Sequence, residues 1–267
     1  MTQALFDRLP EIAAKVEAAS NLLVFLDFDG TLAPVVNDPS IAFMPQQTQR
    51  ALTSLAAIEK VSLAIISGRG LQDLKARVGM PNLIYAGNHG LEISGPGIYF
   101  IQPDAAKRVQ ALSELARELQ TRLAHIPGVQ VENKVLSASV HYRRAPAATL
   151  REIHQAITAV VSASGGLFQM SPGLQVYEIR PRVSWHKGKA VTWIKEAWAK
   201  RDALAMYVGD DVTDEDAFLA LPDGITVSVG SASHTSARYY LEDQGSLQQF
   251  LAWLIESIAV GCAAADC

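Results

Sequence analysis

Hydrophobic and polar positions follow two rhythms along this chain. Compact apolar runs at 22–27, 61–66 and 82–86 are separated by segments near 46–59 and 70–78, where apolar residues recur every three or four positions. Short continuous runs followed by amphipathic stretches predict buried parallel strands joined by crossover helices. The same rhythm resumes at 187–200, 204–209, 213–220, 225–229 and 246–259. Residues 1–20, with a helical apolar period and mixed charges, predict an amphipathic helix ahead of the first strand.

Between these stretches the pattern changes. Residues 90–101 predict a hairpin turning at Ser94-Gly95-Pro96-Gly97. A long helix follows from about 104 to 125, and then strands, a helix and more strands run to about 180. Pro103 and Pro181 punctuate the edges. Because the two flanks share one architecture, the expected fold class is α/β: a Rossmann-like, doubly wound parallel core sheet formed by 1–102 and 183–267, with an inserted α+β cap at 103–182.

A chain of 267 residues suits one large domain or two modest ones, and its net charge of −4 argues against general nucleic-acid binding. Residues 103–182 carry 10 Lys and Arg against 6 Asp and Glu, while the flanks carry 13 against 21. An acidic part suited to a cation thus sits beside a basic part suited to an anion. Cys262 and Cys267 read as free thiols of a reducing cytoplasm. No apolar run is long enough to cross a bilayer and residues 1–20 lack a secretory stretch, so a cytoplasmic protein without membrane partners is expected. The pattern leaves the oligomeric state open, with a monomer compatible.

Two acidic motifs carry the candidate chemistry: DFDGTL at 27–32 and GDDVTDEDAF at 209–218. Each follows an apolar run, so Asp27, Asp29 and Asp210 stand where buried strands emerge, the place at which doubly wound sheets bind ligands. Carboxylates gathered there repel one another unless a divalent cation joins them. Asp27 and Asp29, two apart on an extended strand end, can point to one side. One could attack phosphorus while the other protonates the leaving oxygen, although a lone D-x-D is equally explained by acids capping a helix. Ser67, Gly68 and Arg69 follow the run 61–66 and offer a hydroxyl and backbone amides to phosphoryl oxygens, or simply a turn. Lys187, with Lys189 as its local rival, could neutralise phosphate at a helix start. Asp210 is placed to ligate a metal directly and Asp214 to support it from behind that ligand or through water, whereas Asp211, Glu215 and Asp216 suit the start of a helix. His186 is left unassigned.

In 103–182, a period-two reading puts Glu132 with Lys134, Ser139 with His141 and Arg143, and Glu178 with Arg180 on shared faces. Such a face could bind a hydroxyl-rich group, and strand by strand a solvated face also accounts for it.

Together the strand-end motifs resemble the haloacid dehalogenase superfamily of aspartate-nucleophile phosphotransferases. The resemblance implies Asp27 as nucleophile, Asp29 as acid/base, and Ser67, Gly68 and Lys187 as phosphoryl binders. It implies Mg2+ held by Asp27, the Asp29 carbonyl, Asp210 and water, with Asp214 in support. The wider set LDFDGTLAP, SGR, AGNHGLEI, VENK with SxHYR, YEIRP, HKGKA and GDDVTDEDAF is similar to the trehalose-6-phosphate phosphatase family. That similarity implies a small-molecule sugar phosphate as partner, met by Arg69, Asn88 and His89 from the core and by Glu132, Lys134, Ser139, His141, Arg143 and Glu178 from the cap. His89 has a competing role as a packed loop residue and Arg143 as partner of an acid. The length implies a stand-alone phosphatase without a fused synthase. Rival readings are another sugar-phosphate phosphatase, a sugar phosphomutase, or a non-catalytic sensor, which would need neither Asp27 nor Asp29.

Overall fold

The computed structural model describes residues 2–36, 41–198, 203–230 and 233–265, with side chains described to residue 259. Cys267 and the Cys262 side chain, expected as free thiols, lie outside the described residues. The strands are β1 Gln3–Ala4, β2 Asn21–Asp27, β3 Val61–Ile66, β4 Ile84–Gly87, β5 Glu92–Gly95, β6 Ile98–Ile101, β7 Gln130–Asn133, β8 Ala138–His141, β9 Phe168–Gly173, β10 Val176–Pro181, β11 Ala203–Gly209, β12 Ile225–Val229 and β13 Tyr239–Leu241. The helices are α1 Leu9–Ala18, α2 Gln46–Ala56, α3 Leu71–Val78, α4 Pro103–Ala106, α5 Val109–Leu123, α6 Leu150–Ala163, α7 Lys187–Trp198, α8 Glu215–Leu219 and α9 Gln244–Ala265. By contacts the chain divides into two compact units, Met1–Tyr99 with His186–Cys267, and Phe100–Trp185.

The first unit is built on a nine-stranded sheet in the order β1-β13-β12-β11-β2-β3-β4-β5-β6. Pairing is parallel from β1 through β4, and β5 runs antiparallel to β4. The central strands are apolar on both faces because helices cover both. On one face Leu22, Val24 and Leu26 join Ile12, Leu52, Leu74 and Phe250 in one core. On the other Phe25 stacks on Tyr207, and Tyr207 meets the edge of Phe218 in α8. Register then fixes the functional edge. Leu26 lies opposite Val208 and Asp27 opposite Ile66, so β2, β3 and β11 end level with one another. The residues that follow, Phe28, Ser67 and Asp210, leave the sheet together at the carboxyl edge.

The second unit carries a four-stranded antiparallel sheet, β7-β8-β10-β9. One face, with Ala138, Val140, Phe168 and Ile179, packs on Leu112, Leu119, Ile153 and Ile157 of α5 and α6. The opposite face carries the alternate, polar positions.

Three elements differ from expectation. Residues 1–20 are not one helix: Gln3 and Ala4 pair with Tyr239 and Tyr240, and α1 begins only at Leu9, with Pro10 in its first turn. Proline suits that position because its missing N–H has no helical partner there. The helix expected at 104–125 is broken between Ala106 and Val109. Arg108 leaves helical geometry at φ −105° and ψ 3°, and its Nη1 donates to the carbonyls of Leu167 and Arg182 at 2.9 and 3.0 Å. β8 ends at His141, so Arg143 lies beyond the strand whose face it was expected to share. Among the described residues, no helix is long and apolar enough to cross a membrane.

Candidate active site

Asp27 is the last residue of β2 and only 4% exposed. Lys187, the first residue of α7, donates Nζ to Asp27 Oδ1 at 2.6 Å and to Asp214 Oδ1 at 2.7 Å. Lys187, rather than Lys189, is thus the lysine at the strand ends. Asp214 also accepts the Tyr207 hydroxyl at 2.6 Å, and its Oδ2 accepts the backbone N–H groups of Asp210 and Asp211 at 3.1 and 2.9 Å. A carboxylate offers about four acceptor positions, so Asp214 is fully engaged in holding the loop after β11. That loop presents Asp210, whose Oδ1 accepts the Thr31 hydroxyl at 2.8 Å. Gly30, at φ +90°, makes this approach possible: a β-carbon there would overlap the Asp210 carboxylate.

Electrostatics in the cluster are unbalanced. Asp27, Asp210 and Asp214 each bring an oxygen within 4.8 Å of the others, and the Lys187 ammonium bonds two of the three, Asp27 and Asp214. Burial pushes the Asp27 carboxyl well above its usual range; Lys187 opposes the rise, and Asp214 and Asp210 add to it. Burial likewise raises Asp210 to about 7, with the Thr31 hydrogen bond opposing and Asp214 repulsion adding. Burial alone would lower Lys187, but Asp214 and Asp27 outweigh it and raise its pKa. Burial raises the Tyr207 hydroxyl too, reinforced by Asp214, so it remains a donor. Oxygen-only donors, close together and under-compensated, fit a hard divalent cation between Asp27 and Asp210.

Asp29 lies two residues beyond the nucleophile candidate, with its side chain 40% exposed. It accepts a two-pronged bond from Arg69, Nε to Oδ2 at 2.8 Å and Nη2 to Oδ1 at 2.6 Å. Ser67 Oγ accepts the Arg69 backbone N–H at 3.1 Å, which orients the hydroxyl beside the strand ends. Gly68 passes so close to His89 that a β-carbon would lie 2.7 Å from its ring. Asn88 and His89 adopt left-handed φ of 51° and 57°. Asn88 is fully buried and gives Nδ2 to Glu92 at 2.7 Å, bracing the loop; His89 is 9% exposed.

On the polar face of the second unit, register sets Glu132 opposite Ser139 and Ser139 opposite Glu178. Glu178 Oε1 accepts Ser139 Oγ at 2.8 Å and Lys134 Nζ at 3.2 Å, while His141 and Glu132 share a hydrogen bond of 2.9 Å. Five of the six expected cap residues therefore fall into two hydrogen-bonded groups, Lys134, Ser139 and Glu178 in one and Glu132 with His141 in the other, brought side by side by the pairing of β8 with β7 and β10. Arg143, beyond the end of β8, donates Nη2 to the Leu174 carbonyl at 3.1 Å.

A family model described as trehalose-phosphatase matches residues 25–245, which span both units. The chain belongs to the trehalose-phosphatase family. It is 38% identical over 248 residues to the trehalose-phosphate phosphatase of Mycobacterium marinum, a match covering 88% of this chain and 62% of that relative. This trehalose-phosphatase family member thus spans less than two thirds of the relative's length. Its fold matches the C-terminal domain of Candida albicans trehalose-6-phosphate phosphatase with a TM-score of 0.78 at 23% identity, covering 96% of this chain and 98% of that one. A haloacid dehalogenase-like hydrolase from Bacteroides thetaiotaomicron shares the fold at a TM-score of 0.62 and 14% identity, covering 88% and 98%.

Four residues of this family member that the apolar pattern does not single out hold candidate site residues in place. Thr31 holds Asp210 through its hydroxyl. Tyr207 read as core, yet a buried phenol requires a partner and finds Asp214. Glu92 joins Asn88 to the first N–H of α3, accepting from Leu71 at 2.8 Å. Asp73 sits four residues from both Arg69 and Arg77 and bonds to both, a spacing visible in the sequence.

Proposed function

We propose that this protein is a magnesium-dependent phosphatase that hydrolyses trehalose 6-phosphate to trehalose and inorganic phosphate through an aspartyl-phosphate on Asp27. The observation that carries the reading is the buried Asp27 carboxylate at the end of the central strand, oriented by Lys187 within reach of Asp210. Family membership and the name of the Mycobacterium marinum relative support the substrate.

Asp27 attacks phosphorus in line with the sugar oxygen, the bond from phosphorus to that oxygen breaks, and Asp29 gives the oxygen a proton. Asp29, now ionised, takes a proton from water as that water attacks the aspartyl-phosphate; phosphate leaves and the Asp27 carboxylate is restored. Lys187 orients Asp27 and neutralises charge on the phosphoryl oxygens, and the Ser67 hydroxyl donates to one of them. Magnesium held by Asp27, Asp210, the Asp29 carbonyl and water would offset phosphoryl charge, while Asp214 holds the Asp210 loop. Glu132, Lys134, Ser139, His141 and Glu178 recognise the sugar hydroxyls, and Arg69 and His89 act on the core side. The enzyme works in the cytoplasm.

Phosphate release from trehalose 6-phosphate, sucrose 6-phosphate, glucose 6-phosphate and mannose 6-phosphate, with and without magnesium, tests this. Metal-dependent preference for trehalose 6-phosphate, with no isomerised sugar phosphate, is expected. Preference for another member refutes the cap assignments, and isomer formation refutes hydrolysis.

A further inference from the structure

The acid/base candidate is held from a distance. Arg69 grips both Asp29 oxygens through Nε and Nη2, and its third corner, Nη1, donates to Asp73 Oδ2 at 2.9 Å. Its planar face lies over the Phe28 ring at 5.4 Å. Asp73, in the first turn of α3, accepts Arg77 Nε at 2.8 Å on both oxygens, and Arg77 Nη1 donates to the Ala42 carbonyl at 2.7 Å. Acids and guanidinium groups therefore alternate from Asp29 through Arg69 and Asp73 to Arg77. A guanidinium bound along one edge can still swing with its flexible stem, and a bond to its remaining corner fixes it. Burial alone would raise the Asp73 carboxyl, yet hydrogen bonds from Arg77 and Arg69 hold it below its usual value, so the anchor carries charge at neutral pH.

We propose that Asp73 is a positioning residue: acting through Arg69, it sets the direction in which Asp29 presents its proton to the leaving oxygen. The inference rests on the phosphatase reading above. It differs from a purely structural role for Asp73 in one respect. Misdirecting a general acid penalises poor leaving groups, which need the proton, and spares good ones.

The test compares kcat/KM, which reports only as far as transfer to Asp27, for phenyl phosphate and p-nitrophenyl phosphate. These are similar in size and differ in leaving-group basicity. In Asp73→Asn the value for phenyl phosphate should fall about tenfold and that for p-nitrophenyl phosphate by less than about threefold. Asp73→Glu, which keeps the charge, should regain most of the loss. The Asp73 side chain is 37% exposed, so neither change opens a core cavity. Equal losses on both substrates, or no loss, overturn the positioning role while leaving the phosphatase reading intact. A wild-type protein inactive on every phosphate ester overturns both.

Discussion

Lys187 is the cation on which the strand-end acids depend. Its side chain is 3% exposed and bonds Asp27 and Asp214, themselves 5% and 0% exposed. Removing one partner of a buried ion pair leaves uncompensated charge and costs about 3–5 kcal/mol. Lys187→Met should therefore lower the urea midpoint sharply as well as end turnover; wild-type stability in this variant would show that the acids take up protons instead. Asp27→Asn, in contrast, removes a charge from a crowded site. It should abolish phosphate release while circular dichroism stays native, and near-normal release would exclude Asp27 as nucleophile. Asp27, Lys187 and Asp210 were legible because each follows or precedes a marked change in apolar pattern. Tyr207 was not, since an aromatic residue within a buried strand looks the same whether or not its hydroxyl is used.

At the level of elements, legibility followed burial. The runs at 22–27 and 61–66 coincide with β2 Asn21–Asp27 and β3 Val61–Ile66, because central parallel strands are covered on both faces and must be apolar throughout. β1 has only two residues, too few for any period, and the break between α4 and α5 is made by carbonyls of distant residues. On the second unit's sheet the alternation was readable, but the cross-strand row of Glu132, Ser139 and Glu178 depends on a register that spacing within one strand does not contain. That row yields a prediction. Glu178 gathers Lys134 and Ser139, so Glu178→Ala should disperse that group and leave aryl-phosphate chemistry at Asp27 untouched. Expected is a loss of about tenfold to a hundredfold in kcat/KM for trehalose 6-phosphate, the size of one or two charge-assisted hydrogen bonds, with p-nitrophenyl phosphate hydrolysis within about twofold of wild type. Equal losses would place Glu178 outside sugar recognition.

For the whole molecule, the under-compensated acids at the carboxyl edge tie stability to pH and to metal. Folding raises Asp210 from 3.8 to about 7, and burial moves Asp27 in the same direction. The folded, metal-free protein thus binds these protons more tightly than the unfolded chain does. The stability contributed by Asp210 is fully present below about pH 4, declines as the unfolded carboxyl ionises, and is lost by about pH 7. Magnesium favours the ionised carboxylates, so its stabilising effect should grow over that same interval. At a concentration one hundred times its dissociation constant, a ligand of the folded state adds about 2.7 kcal/mol, equivalent to roughly 5–10 °C in a protein of this size. Melting curves with and without millimolar magnesium should therefore separate by several degrees at pH 8 and nearly coincide at pH 5. Comparing the pair at each pH cancels every group the metal does not touch. Equal separation at both values would mean that the cation binds somewhere other than the Asp27 and Asp210 carboxylates.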